Sequence, residues 1–138
     1  MSPDGQWVAF VSSESGASEV YVMPLSGSAG RTRVSIEGGI GPRWSKDGRE
    51  LFFWGNPEGR TTLMSAAVRF TPSFSVEKPV ILFEGRSGST WGPAPDGQRF
   101  LVETLAAVNA GQMDEETSFA VVTNWFDELR RLAPAKGR

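Results

Sequence analysis

Few residues of this 138-residue chain could do chemistry, and none of them falls into a catalytic grouping. The chain has no histidine and no cysteine. Ser-His-Asp and Cys-His catalysis, imidazole metal sites and the commonest general base are therefore excluded. No Gly-x-Ser-x-Gly nucleophile elbow is present. The remaining candidates are the aspartates Asp4, Asp47 and Asp96, each followed by glycine, the acidic run Asp114-Glu115-Glu116, and the pair Arg43 and Trp91. Carboxylates could bind a cation or move a proton. The three aspartates, however, lack the spaced acids of a calcium loop, and an acidic run in a loop usually stays solvated. No metal and no cofactor is expected.

The aspartates belong to a recurring element that accounts for them better. Ser2-Pro3-Asp4-Gly5, Ser45-Lys46-Asp47-Gly48 and Ala94-Pro95-Asp96-Gly97 each precede an apolar run: Trp7 to Val11, Leu51 to Trp54, and Phe100 to Val102. Proline presets φ at the second turn position, aspartate bonds back to the backbone, and glycine takes the left-handed conformation that turns the chain into the next strand. The unit is a hairpin. The aspartates stand 43 and 49 positions apart. Periods of roughly 40–50 residues with four strands each indicate propeller blades.

The expected fold is therefore all-β, a partial β-propeller of about three four-stranded antiparallel blades with a short C-terminal helix. Residues 1–37 are expected to form a blade that lacks its first strand and 38–86 a complete blade. Residues 87–124 form a blade that lacks its last strand, and 125–138 a helix and tail. Strands are expected at 7–12, 19–25, 31–36, 41–45, 51–54, 63–68, 80–83, 90–94, 100–104 and 119–123, with one long connection over 69–79. Trp125, Leu129 and Leu132 share a helical stripe, with acids early and arginines late, as suits a helix dipole. That helix either caps the last blade or docks a partner. Phe52, Phe53, Trp54 and Phe83 are expected between blades. Arg43 and Trp91 fall on strands that would line a central channel, where they could hold an anionic or planar ligand or simply pack.

Composition agrees with an ordered, turn-rich chain: 39% hydrophobic residues, 16 glycines, 9 prolines and 5 tryptophans. A net charge of −2 gives no basic stripe, so neither nucleic acid nor an anionic membrane is an expected partner. Apolar runs reach only about four residues, against the roughly 20 of a spanning helix, so no membrane insertion is expected. Met1 leads straight into a turn without the segments of a signal peptide, and a repeat unit that begins at its own turn, without the strand before it, reads as a piece cut from a longer protein, while Ala133 to Arg138 reads as a natural end.

The Ser2-to-Gly5 and Pro42-to-Gly48 elements, with Glu19-Val20-Tyr21-Val22-Met23 after a polar loop, resemble the TolB-type WD-like propeller repeat. Residues 95–102, with Val121 to Phe126 and Leu129 to Leu132, resemble the closing segment of propellers appended to bacterial eukaryotic-like serine/threonine kinases. That resemblance implies a non-catalytic module for protein interaction or ligand sensing in the C-terminal region of a signalling kinase, extracytoplasmic in that case and cytoplasmic otherwise. The chain itself has no glycine-rich nucleotide loop, no His-Arg-Asp and no Asp-Phe-Gly. The alternative is a fragment of the gating propeller of a prolyl-oligopeptidase-like serine peptidase. Three blades cannot close a ring, so a homo-oligomer through open blade edges is expected, with a two-chain, six-blade ring as its leading form, or else aggregation of the chain alone.

Overall fold

The computed structural model describes residues 1–27, 30–85, 91–95, 99–105 and 117–123. Among them are eleven strands and one turn of 3-10 helix, Pro57–Gly59. The chain divides into two compact units, Met1–Arg86 and Ser87–Arg138.

The first unit holds two antiparallel sheets. β1 (Trp7–Ser12), β2 (Glu19–Pro24) and β3 (Thr32–Arg33) form one, in that order. β4 (Ile40–Trp44), β5 (Glu50–Gly55), β6 (Thr62–Arg69), β7 (Ser75–Val76) and β8 (Val80–Glu84) form the other. There β7 pairs with the end of β6, at Val68 and Arg69, and β8 with its beginning, from Thr62 to Ser65. The two short strands thus share one edge. In the second unit β9 (Trp91–Pro93), β10 (Arg99–Leu105) and β11 (Thr117–Thr123) form a third antiparallel sheet with β10 central.

Alternation along the strands builds the core. Val20, Val22 and Val34 of the first sheet's region meet Leu51, Phe53, Ala66 and Val68 of the second in one buried cluster. Residues two apart on a strand share a face, so each sheet turns one whole apolar face to its neighbour. At the rim of this cluster Trp7 stacks on Phe74 at 4.8 Å between ring centroids, and Phe70 lies 5.3 Å from Trp7 and 6.2 Å from Trp44. The opposite face of the second sheet is also apolar, with Phe52, Trp54 and Leu63 buried. Trp54 meets the half-buried Phe83 edge-on.

Three expectations about the strands change. The strand expected over 31–36 shortens to Thr32–Arg33. Beyond it the hydroxyl of Ser35 accepts the Val20 amide at 2.7 Å, a side chain standing where a ladder carbonyl would otherwise serve. The connection over 69–79 contains β7, because Glu77 N–H donates to the Ala67 carbonyl and holds the segment on β6. Its phenylalanines 70 and 74 then reach the inter-sheet core. Consequently the described strands number eleven rather than ten. The helix expected from Trp125 to Leu132 lies outside the described residues.

Candidate functional site

Each of the two described turn aspartates accepts two hydrogen bonds within its own turn through Oδ1. At the second turn the Ser45 hydroxyl donates to Asp47 Oδ1 at 2.7 Å and accepts the Glu50 amide at 2.9 Å. The same Oδ1 accepts the Arg49 amide at 3.1 Å, and Gly48 N–H closes the turn on the Ser45 carbonyl at 3.0 Å. The first turn repeats this network atom for atom. Ser2 Oγ donates to Asp4 and accepts the Trp7 amide, Asp4 accepts the Gln6 amide, and Gly5 N–H bonds the Ser2 carbonyl. These donors hold both carboxyls below their ordinary value, the serine hydroxyl contributing most. Such acids are poor proton acceptors near neutral pH. In the third turn Ala94 stands where the other two have serine, while Ala94 N–H still closes on the Arg99 carbonyl at 2.8 Å. Asp96 and the run Asp114-Glu115-Glu116 lie outside the described residues.

Arg43 and Trp91 are carried by separate units. Arg43 sits on β4 opposite Phe52 and is exposed, beside a register shift between Ile40 and Arg43. Trp91, on β9 opposite Val102, is only 7% exposed. It lines a concavity of about 470 Å³ with Gly92, Pro93, Arg99 and Leu101. A side chain at Gly92 would meet nothing within 4 Å. Open space therefore lies above this strand.

Two features escaped the sequence reading. The first is Glu19, expected merely to start a strand, whose side chain is buried with 4% of its surface exposed. Ser35 Oγ donates to one of its oxygens, and the Gly38 amide to the other at 3.3 Å. Gly39 follows so tightly that an added Cβ would stand 2.7 Å from Ser35 Cβ and 2.9 Å from Val20 Cγ2. This cluster ties the start of β2 to the segment leading into β4. The second is a groove of about 490 Å³ lined by Ile36, Gly38, Met64, Val80 and Ile81, with Glu37, Glu58 and Lys78 among its polar lining. Glu58 stands at φ 55°, left-handed for a non-glycine residue, and its amide donates to Glu37 Oε2 at 3.3 Å. The groove assembles from residues up to 45 positions apart, and the only trace of it in the sequence is that Ile36, Val80 and Ile81 are apolar in outer strands.

The remaining described ion pairs lie on the surface: Arg31 with Glu14, Arg60 with Glu58 and Glu84, and Arg69 with Glu77. Pairs so exposed contribute little. Among the described residues no three acids come together as a metal site.

No protein-family model and no curated protein matches the chain. Solved structures do. A TolB protein of Agrobacterium tumefaciens superposes with a TM-score of 0.60 at 22% identity, over 90% of this chain and 44% of its own. The β-propeller domain of the trilobed protease of Pyrococcus furiosus gives 0.59 at 20% identity, over 90% and 39%. The acylaminoacyl peptidase of Pyrococcus horikoshii gives 0.55 at 18%, over 86% and 22%. The chain has the fold of part of a β-propeller. At these identities the likeness concerns the fold alone, and the chain spans less than half of each related structure. TolB-type likeness is supported, whereas these structures give no support to the kinase-appended propellers.

Proposed function

We propose that this chain is a non-catalytic propeller module that binds a protein segment or a ligand. The observation that carries the reading is the employment of its acids. Asp4 and Asp47 accept the hydrogen bonds that close their turns and Glu19 takes part in a buried backbone tie, so these three carboxylates serve the fold. Among the described residues the concave surfaces that could meet a partner are the Ile36/Met64/Val80/Ile81 groove and the concavity lined by Trp91. Arg43, exposed on β4, is a candidate contact for an anionic ligand, and Trp91 for a planar one.

A panel of hydrolase and phosphotransfer substrates on the purified protein tests the absence of catalysis. No turnover above background is expected. Turnover that persists through further purification and disappears on replacing one carboxylate would overturn the reading.

In its parent protein we place the module in the C-terminal region of a bacterial signalling kinase, on the resemblance of residues 95–102 and 121–132. The likeness to the trilobed protease propeller and an acylaminoacyl peptidase favours a second reading, the gating propeller of a serine peptidase. The full reading frame separates the two: a kinase domain upstream supports the first, an α/β-hydrolase domain downstream the second.

A further inference from the structure

The turns that define this fold are built on Asp-Gly, a dipeptide that reacts readily with itself because glycine puts no side chain beside the attacking amide. The glycine nitrogen attacks the carbon of the protonated aspartate carboxyl. A C–N bond closes a succinimide ring, and the carboxyl hydroxyl leaves with the amide hydrogen as water. A second water opens the ring at either carbonyl, giving back aspartate or leaving isoaspartate, in which the main chain runs through the former side chain. Water is the only co-reactant.

Both described turns restrain the groups that this reaction uses. Asp47 Oδ1 accepts the Ser45 hydroxyl at 2.7 Å and the Arg49 amide at 3.1 Å. The nitrogen that would attack, that of Gly48, has its hydrogen committed to the Ser45 carbonyl at 3.0 Å. Ser2, Asp4, Gly5 and Gln6 repeat the arrangement, with the Gly5 amide 2.9 Å from the Ser2 carbonyl. A hydroxyl donor favours the ionised carboxylate, which offers no leaving group, over the acid that reacts. Of the charged side chains beside Asp47, Arg49 also favours the carboxylate, and Glu50 is the neighbouring acid. The hydroxyl is not what closes the base of the hairpin. Ala94 N–H reaches the Arg99 carbonyl at 2.8 Å without one, just as Ser45 N–H reaches that of Glu50 at 2.9 Å. We propose that Ser2 and Ser45 are chemical shields, whose hydroxyls keep Asp4 and Asp47 from isomerising to isoaspartate.

The parent chain, Ser45→Ala and Ser45→Thr are aged at physiological temperature and digested, and isoaspartate at each residue is measured by peptide mass spectrometry. Ser45→Ala, which gives the second turn the residue found in the third, is expected to raise the rate at Asp47 about tenfold, through loss of one charge-assisted hydrogen bond. Ser45→Thr keeps a hydroxyl and should hold the parent rate, and Asp4 should age alike in all three proteins. Attack needs a protonated carboxyl and an amide relieved of its hydrogen, so the rate rises with pH up to the carboxyl pKa and levels off above it. In Ser45→Ala that levelling point should move up toward the ordinary aspartate value, whereas mere loosening of the turn would scale the rate at every pH without moving it. Ser2→Ala repeats the test at Asp4. Unchanged rates in both alanine variants would overturn the proposal. So would a rise without a shift of the profile, an equal rise at the untouched turn, or a threonine variant that ages as fast as the alanine one.

Discussion

The ring of Pro3 lies against Gly48, so close that a Cβ on the glycine would stand 3.3 Å from Pro3 Cδ. The first and second turns of the repeat therefore touch, and each closes its hairpin through a left-handed glycine, Gly5 at φ 71° and Gly48 at φ 72°.

Gly5 and Gly48 share a conformation and differ in surroundings, because a Cβ at Gly5 would meet nothing within 4 Å. Gly5→Ala is expected to cost about 1–2 kcal/mol from backbone strain alone. Gly48→Ala should cost more, and Gly48→Val more again, since a β-branched side chain resists the left-handed region most. Urea melts of the three variants check the order; equal losses at Gly5 and Gly48 would show that the Pro3 contact yields freely.

Ser35→Ala is expected to destabilise by about 1–3 kcal/mol, because it leaves the Val20 amide and a Glu19 oxygen buried without their partner. Ser45→Ala removes a bond to an exposed carboxylate and the acceptor of the part-buried Glu50 amide, at a site more open to water, and should cost less, about 1 kcal/mol. Denaturant unfolding compares them directly. A Ser45→Ala loss exceeding that of Ser35→Ala would contradict this ranking.

Acid stability should depend on Asp47. Its carboxyl is held below the ordinary 3.8 by the Ser45 hydroxyl and then the Arg49 amide, so the folded chain binds that proton less readily than the unfolded chain. The stabilisation is full above 3.8 and is lost as pH falls through the folded pKa. Glu50 has the opposite sign. Burial, and after it the charge of Asp47, raise its carboxyl above 4.5, so its favourable contribution exists below that pH and disappears as pH rises through the folded pKa. Asp47→Asn should flatten the loss of melting temperature on acidification, and Glu50→Gln should raise the melting temperature at neutral pH. Thermal melts at a series of pH values read both effects.

Phe53 lies at the centre of the inter-blade cluster with none of its surface exposed. Phe53→Ala is expected to cost about 3–5 kcal/mol, a large share of a domain's stability. Leu25→Ala, on an exposed side chain, should change the stability of the monomer by no more than about 0.5 kcal/mol. Melts in dilute solution would show both, and a severe loss from Leu25→Ala there would mean that this side chain is already packed within one copy.

The sequence by itself determined the hairpins and their class. A turn such as Ser45 to Gly48 is specified within six residues, and the hydroxyl, carboxylate and amides that close it are all local, so the motif can be read directly from the chain. The strands after each turn follow from the same apolar runs, and the absence of histidine and cysteine excludes whole classes of chemistry at once. Tertiary structure decided everything that depends on which strand lies beside which. It buried Glu19 by bringing Ser35 and Gly38 to it, shortened β3, and drew Phe70 and Phe74 onto Trp7. It also left Arg43 exposed beside the register shift in β4 and assembled a groove from Ile36, Met64 and Ile81. Alternation along a strand says that two faces exist; only the packing of one sheet on the next says which face meets solvent and which meets a neighbour.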